Sequence, residues 1–463
     1  MSFLTNKQNR KPTNIVPIKM GNSPRKLYIE TYGCQMNIND SEVVASVLAQ
    51  GGVIITKEIK EADIILINTC SIRDNAEIRV RGRLQQFRVQ KQRRPHLIIG
   101  VIGCMAERLK EELLDQEKMV DIVAGPDAYR DLPRLIDMAI TGNKAVNVIL
   151  SAEETYADIT PVRMDENKIS SFVAIMRGCN NFCTYCVVPY TRGRERSRSP
   201  LTIVEEVKQL FANGYREVTL LGQNVNSYHW DDNGTEVDFP GLMARVAQVS
   251  PLMRVRFATS HPKDMSDKLL EIISQYPNLC KNIHLPAQSG SSRILELMNR
   301  KYTREEYLER IASVRRILPE ASISTDIIAG FCGETEEDHQ QTLSLMQEAG
   351  YELAFMFQYS ERPGTYSSKN MVDDVPEEVK SRRLSEIIDL QHKLSHDIKK
   401  KDVGKIFEVL VEGFSKKSKE DMIGRTSQNN IVIFPRKNLK IGDYVNVRII
   451  RCSSATLIGE IIE

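Results

Sequence analysis

From Lys26 onward, short continuous apolar runs alternate with segments of helical spacing. The runs are KLYIETYG, ADIILINT, HLIIGVIG and DIVAGP. Between them, SEVVASVLAQGG ends on a Gly-Gly stop, and SIRDNAEIRVRGRLQQFRVQKQRR reads as an Arg-rich helix. Such alternation predicts a parallel sheet covered by helices on both faces. The polar residues 1–24 ahead of it read as a disordered arm.

Residues 151–170 are polar and aperiodic, and read as a linker. A second β/α series follows, with FVAIMRG, REVTLLG, MRVRFAT, NIHLP, ISTDIIAG and ELAFMFQYS as its strands. PLTIVEEVKQLFANG is one of the intervening helices, stopped at Gly214. Six such units predict a partial TIM barrel, (β/α)6, whose active face lies at the carboxyl ends of the strands. Those ends read GCNNFC, GQNVNS, TSHP, HLPAQSGSS, GFCGETEED and QYSERPGT, polar and glycine-rich. VPEEVKSRRLSEIIDLQHKLSHDIKKK then reads as one long helix, and IFEVLVEGF, NNIVIFP and YVNVRIIRC as strands of a small all-β barrel. The expected fold class is therefore α/β with a terminal β barrel. The expected divisions are 1–24 (arm), 25–145 (parallel-sheet domain), 165–396 (partial barrel) and 398–463 (β barrel).

A chain of 463 residues has room for about three such domains. Its 63 Lys+Arg nearly cancel its 61 Asp+Glu, so any polyanion-binding surface must be local. The amino-terminal sequence lacks the apolar core of a secretory signal, and no apolar run approaches the ~18 residues of a spanning helix. A cytoplasmic, reducing setting is expected, in which patterned cysteines point to metal or catalysis.

The cysteines carry the chemistry. Cys34, Cys70 and Cys104 close three successive apolar runs, 36 and 34 residues apart, about one β-α unit each. Ligands of open parallel sheets bind just past the carboxyl ends of strands, so three distant thiols converge there. Three buried core thiols are the plain alternative, but each of these is followed by polar residues. Cys179, Cys183 and Cys186 instead form a compact C-x3-C-x2-C. Three thiolates on one loop can hold three irons of a 4Fe-4S cluster and leave the fourth open to the amino and carboxylate groups of S-adenosylmethionine. A zinc site would want a fourth Cys or His close by in sequence, and none is there. Cys280 and Cys452 read as core thiols, and Cys332 as an accessory residue on the active face.

The C-x3-C-x2-C motif resembles that of the radical S-adenosylmethionine superfamily. MRGCNNFCTYCVVPYTRGRERSR, YGCQMN, INTCSIRDNAE, GCMAER, HLPAQSGSSRILELMNRKYT and YSERPGT resemble the methylthiotransferase family within it. The resemblance runs over the chain after its first two dozen residues and is greatest to members acting on isopentenylated tRNA. It implies a transferase with two [4Fe-4S] clusters, one on Cys34, Cys70 and Cys104 and one on Cys179, Cys183 and Cys186, with S-adenosylmethionine as cofactor. One S-adenosylmethionine would donate a methyl group to sulfur held at the first cluster. Another would be cleaved reductively at the second, and the radical would open carbon 2 of N(6)-dimethylallyladenosine at tRNA position 37 to methylthiolation. Tyr185 holds the place of the aromatic that flanks the adenine of the cofactor. Partners implied are the tRNA anticodon stem-loop and an electron donor such as a flavodoxin or ferredoxin, with no membrane and a monomeric enzyme. The terminal block resembles the TRAM domain, an RNA-binding barrel. Cys332 stands where the family has proline, which relaxes a backbone constraint in GFCGET.

Strand-end position alone nominates Gln223, Asn224, Ser260, Gln288, Ser289 and Asp326 to hold S-adenosylmethionine. Arg192, Arg194, Arg196 and Arg198 follow the cysteine loop directly and are candidates for RNA, since guanidinium contacts phosphate and stacks on bases. A solvated charged loop is the ordinary alternative. The helix over 71–94 is basic as well, through Arg73, Arg79, Arg81, Arg83, Arg88, Lys91, Arg93 and Arg94, and an exposed amphipathic helix explains it equally well. His261 and His284 read as hydrogen-bonded loop residues. Rival functions are methylthiolation of threonylcarbamoyladenosine in tRNA or of a ribosomal-protein aspartate, and a non-catalytic iron-sulfur RNA-binding protein.

Overall fold

The computed structural model describes residues 19–20, 23–71, 74–165, 168–232 and 234–462. They form two compact units, one of residues 1–150 with 159–162 and one of 151–158 with 163–463. Most of the arm expected over 1–24 lies outside the described residues. Where it is described, Lys19–Met20 pairs antiparallel with Ser23–Pro24.

The first unit is a six-stranded parallel sheet. Its strands are β1 (Lys26–Tyr32), β2 (Ile54–Ile55), β3 (Ile64–Thr69), β4 (Ile98–Gly103), β5 (Ile122–Ala124) and β6 (Ala145–Asn147), in the order β2-β1-β3-β4-β5-β6. Every residue of β3 and β4 is buried, which is why these strands read as unbroken apolar runs rather than alternating ones. The crossovers include α1 (Gln35–Gln50) and α2 (Asp74–Arg93). The short strands β2 and β6 were not evident from hydrophobic pattern, being two and three residues long at the sheet edges.

In the second unit, β7 (Ser170–Ala174), β8 (Glu217–Leu221) and β9 (Arg254–Ala258) form one parallel sheet. β10 (Asn282–His284), β11 (Ser322–Ala329) and β12 (Leu353–Gln358) form another. Backbone bonds from Val255 N to Asn278 O (2.9 Å) and from Cys280 N to Val255 O (3.0 Å) join the two. Six parallel strands in sequential order are the expected partial barrel, with helices packed on the Val218, Val255, Ile283 and Ile323 side. The long helix, Glu377–Lys400, covers the last strand through Leu384, Leu390 and Leu394.

The terminal block is a closed five-stranded barrel, β13 (Ile406–Phe414), β14 (Asp421–Thr426), β15 (Ile431–Pro435), β16 (Tyr444–Cys452) and β17 (Thr456–Ile461), in the order β13-β14-β15-β17-β16. It is fixed beneath the larger barrel. Glu217, at the start of β8, takes Arg256 Nε at 2.8 Å and Arg425 Nη2 at 2.7 Å. Arg256 also donates to Thr426 O (2.8 Å) and Ser427 O (3.0 Å), and Arg254 to Arg425 O (2.6 Å) and Glu408. All three barrel residues are buried, so a hydrogen-bonded ion network closes the amino-terminal end of the strands.

Residues 151–170 are not the loose linker expected. Tyr156 and Ile159 are buried, the Tyr156 ring carries the Arg177 guanidinium 4.9 Å from its centroid, and Ser151 O and Glu154 O accept from Arg196. A few apolar residues in a polar stretch suffice for packing but are too sparse to show a period.

Candidate active site

In the first unit, register places the three cysteines side by side. Tyr32 pairs with Thr69, and Thr69 with Gly103, at the ends of the adjacent strands β1, β3 and β4. Cys34, Cys70 and Cys104 follow those ends by two, one and one residues, on strands spaced about 4.8 Å apart. The glycines before two of them leave the room. Gly33 has φ +115° and a Cβ there would stand 2.2 Å from Cys70 Cβ. Gly103 has φ +90° and a Cβ there would stand 2.4 Å from Asn68 Oδ1. Buried Asn68 donates to Asn37 O (2.8 Å) and Ser41 Oγ (3.0 Å), tying β3 to the start of α1, where Cys34 is the cap residue.

In the second unit, Cys179 follows β7 on a loop stitched down on two sides. Cys179 N donates to Gly193 O (3.1 Å), and a Cβ on Gly178 would stand 2.0 Å from Arg194 O. Thr184 donates through N and Oγ1 to Met298 O (3.1 Å) and Leu297 O (3.0 Å), and Asn299 Nδ2 donates to Phe182 O (2.9 Å). Burial pushes the Cys179 thiol up to about 11 and the Cys186 thiol to about 12. Three cysteine sulfurs on one largely buried loop fit the donor set of an iron-sulfur cluster. Arg300 is buried beside them, with Nη1 3.3 Å from Cys183 Sγ.

Around this loop, the strand ends present buried polar atoms without partners among the described residues: Gln223 Oε1, Asn224 Oδ1, Asn226 Oδ1 and His261 Nε2. Orphaned buried acceptors and donors in a native fold call for a bound group. His261 Nδ1 accepts from Lys263 N (3.3 Å), which leaves Nε2 as the N–H. Burial, then the Arg300 charge, pushes its pKa down to about 2, so the ring is neutral. Backbone strain gathers here too. Thr259 (φ 71°), Gln288 (φ 69°) and Phe182 (φ 49°) are left-handed residues at strand-end loops. These residues fit S-adenosylmethionine, a zwitterion with ribose and adenine edges to satisfy.

The nominated residues divide. Gln223 and Asn224 carry unpartnered oxygens, and Asn224 Nδ2 is fixed by Asp264 (2.7 Å). Asp326 is half-buried, 3.5 Å from His284 Nε2, and His284 meets the exposed ring of Phe355 edge-on. Gln288 bridges β10 and β11 by backbone, its N donating to Asp326 O at 2.8 Å. Ser260 and Ser289 are buried, with hydroxyls bonded to His284 O and to Thr342 Oγ1. Tyr185 packs edge-on against Phe331, ring centroids 6.3 Å apart. Cys332 belongs to that same apolar cluster with Phe331 and Tyr359; it is a core thiol, not an accessory residue. Its loop is held by Glu334, which accepts from Gly330 N (2.9 Å) and Arg383 (2.9 Å), so rigidity here does not depend on proline.

The arginine run is corrected most. Arg192, Arg196 and Arg198 are buried. Arg196 satisfies backbone carbonyls of 151, 154, 192 and 194, and Arg198 pairs with buried Glu206. Arg194 alone of the four is exposed, over the Phe182 ring. A charge run on a loop carries no sign of which side chains turn inward. On α2, Arg81, Arg83 and Lys91 are paired with Glu77, Glu30 and Asp121, and Arg94 caps backbone carbonyls, leaving Arg79, Arg88 and Arg93 exposed. This is the arrangement of an amphipathic helix. Arg73 lies outside the described residues. Arg300 and the donor role of His261 were missed, since neither stands in a ligand spacing.

Three family models match the chain: an uncharacterized protein family, UPF0004, over residues 26–125, the radical SAM superfamily over 173–346, and the TRAM domain over 400–462. Among curated relatives, tRNA-2-methylthio-N(6)-dimethylallyladenosine synthase of Parabacteroides distasonis is 58% identical over 439 residues, covering 95% of this chain and 96% of the relative. That of Phocaeicola vulgatus is 60% identical over 437 residues, covering 94% and 96%. Among solved structures, the radical S-adenosylmethionine methyltransferase TsrM of Kitasatospora setae, with cobalamin and a [4Fe-4S] cluster bound, superposes with a TM-score of 0.56 at 13% identity over 75% of this chain and 77% of that one, a likeness of fold. With identity this high over nearly its whole length, the chain belongs to the methylthiotransferase family of radical S-adenosylmethionine enzymes, among the tRNA-2-methylthio-N(6)-dimethylallyladenosine synthases.

Proposed function

We propose that the chain methylthiolates carbon 2 of N(6)-dimethylallyladenosine at position 37 of tRNA. Two three-cysteine sets carry this reading, one at the carboxyl ends of the three adjacent parallel strands β1, β3 and β4 and one on the single loop that follows β7. Cys34, Cys70 and Cys104 would hold one [4Fe-4S] cluster, and Cys179, Cys183 and Cys186 the other. When bound, the clusters and S-adenosylmethionine supply sulfur, a methyl donor and a one-electron cleavage yielding a carbon radical, which side-chain acids and bases cannot provide for an unactivated C–H bond. The protein's part is to position and enclose. Gln223, Asn224, Asn226 and His261 present hydrogen-bonding atoms to the cofactor, His284 stands at the end of β10 beside Asp326, which lies within β11 rather than at its end, and the stitched loop fixes the three thiols.

The tRNA is met by exposed positive charge. Arg194 flanks the cysteine loop, and on the terminal barrel Lys416, Lys419 and Arg436 are exposed, with Arg436 over the exposed Phe414 ring at 5.0 Å. Arginine with an open aromatic suits single-stranded bases of an anticodon loop. No helix among the described residues is long and apolar enough to cross a membrane. The enzyme is further proposed to act as a cytoplasmic monomer reduced by a flavodoxin or ferredoxin.

The test is anaerobic: reconstituted protein, isopentenylated tRNA, reductant and S-adenosylmethionine, with nucleosides read by mass. A gain of the methylthio mass on dimethylallyladenosine is expected. Alanine at any of the six cysteines should abolish it, while Cys70→Ala should still release 5′-deoxyadenosine. Normal product from Cys70→Ala would overturn the two-cluster reading, and tRNA binding without any 5′-deoxyadenosine from the unaltered protein would make it a binding protein instead.

A further inference from the structure

Arg300 is 5% exposed and forms no ion pair with a carboxylate among the described residues. Its guanidinium donates to Tyr302 Oη (3.0 Å), Pro286 O (3.1 Å) and Cys183 Sγ (3.3 Å). Tyr302 cannot supply the missing charge, because its hydroxyl is itself within 3.0 Å of the carbonyls of Pro286 and Ala287. A buried cation without a counter-charge is among the most unfavourable arrangements in a protein interior. The partner that remains is the sulfur.

The backbone is built to hold this contact. Asn299 and Lys301, on either side, both adopt left-handed conformations, with φ 59° and 63°. These two left-handed residues flank Arg300 and form the turn that carries it. The same turn clasps the cysteine loop, through Asn299 to Phe182 O and through Thr184 to Leu297 O and Met298 O. Arg300 and Cys183 are thus fixed in one rigid body.

We propose that Arg300 is a positioning residue that sets the reduction potential of the iron-sulfur cluster held by Cys179, Cys183 and Cys186, by placing a fixed positive charge and an N–H···S hydrogen bond on the Cys183 ligand. This rests on the cluster assignment above. Reduction adds one electron to an already anionic cluster, so a neighbouring cation stabilises the reduced form more than the oxidised one and raises the potential. That electron is what the cofactor must receive, and the external donor supplies it.

The test is an EPR-monitored redox titration without S-adenosylmethionine, in a Cys34→Ala/Cys70→Ala/Cys104→Ala background so that one cluster titrates. At the midpoint of the parent protein, Arg300→Gln should lower the ratio of reduced to oxidised cluster about tenfold, equivalent to about 59 mV for one electron. Arg300→Lys keeps charge but loses the fork and should lower it less, about threefold. An unchanged midpoint in whichever variants load four irons would overturn the proposal. So would an unchanged midpoint with weakened S-adenosylmethionine binding, which would assign the guanidinium to the cofactor instead. Two folded variants that both fail to load, beside a parent that loads, would assign Arg300 to holding the cluster rather than to tuning it, and would overturn the proposal. A parent lacking the [4Fe-4S] signal would refute the cluster assignment itself, a distinct outcome.

Discussion

Gly33 and Cys70 lie so close that a Cβ on Gly33 would stand 2.2 Å from that of Cys70. The ends of two neighbouring strands are pressed together at the point where the thiols emerge. Gly33 also has φ +115°, so alanine there suffers both strain and overlap with a rigid Cβ. Gly33→Ala should destabilise the protein by about 2–4 kcal/mol and lower the iron bound by the amino-terminal unit. Gly52→Ala, with φ +82° but nothing within 4 Å, should cost only about 1 kcal/mol and leave iron unchanged. Thermal unfolding and iron content measure both, and equal iron in the two variants would count against a site beside Gly33.

Glu217 is the hinge pin between the two barrels of the second unit. Replacing it with Gln leaves buried Arg256 without its carboxylate and Arg425 with Glu412 alone, at a cost of about 3–5 kcal/mol. Its carboxyl is held below the usual range by the two arginines against the opposing effect of burial. Its stabilisation is therefore present at neutral pH, above the unfolded carboxylate pKa, and is lost as pH falls through the lower folded value. Urea midpoints across pH 3–7 should decline at acid pH in the parent, and that decline should be shallower in Glu217→Gln.

Glu107 shows the opposite sign. It is buried with Oε2 unpartnered among the described residues, and burial pushes its pKa up to about 7. The folded state holds the proton that the unfolded state releases, so stability falls as pH rises from the unfolded value toward 7. Glu107→Gln should remove this decline and raise stability at pH 8 by about 2 kcal/mol. A Glu107→Gln protein no more stable than the parent at pH 8 would contradict it.

Two arginines four residues apart should behave differently. Arg194→Ala, exposed, should weaken tRNA binding and reduce the salt slope by about one, with stability unchanged. Arg198→Ala leaves buried Glu206 with Arg163 alone and should cost about 3 kcal/mol in stability. Filter binding at several salt concentrations, beside melting curves, separates them.

His261→Phe keeps the edge contact with the Tyr302 ring, 5.5 Å between centroids, and removes the buried N–H. S-adenosylmethionine should bind about 5–30-fold more weakly, the loss of one hydrogen bond of about 1–2 kcal/mol. Calorimetry on the cluster-loaded protein decides, and unaltered affinity would place Nε2 outside the cofactor site.

The sequence alone showed the order of the longer elements and set apart two groups of three cysteines. Strand and helix periods are local, and β3, β4 and β8 declare themselves through runs of buried residues. Spacing did the same for the cysteine loop, because a compact motif is visible without a fold. The tertiary structure decided which side chains turn inward. Arg196 and Arg198 read as surface charge and are buried; Arg300 and His261 read as ordinary and stand beside the cysteine loop. Burial of a polar group depends on partners far away in the chain, such as the carbonyls of Ser151 and Glu154 for Arg196 or Cys183 for Arg300, and no local period records it. The docking of the terminal barrel under β8 and β9 is of the same kind, since Glu217 and Arg425 meet only when the chain is folded.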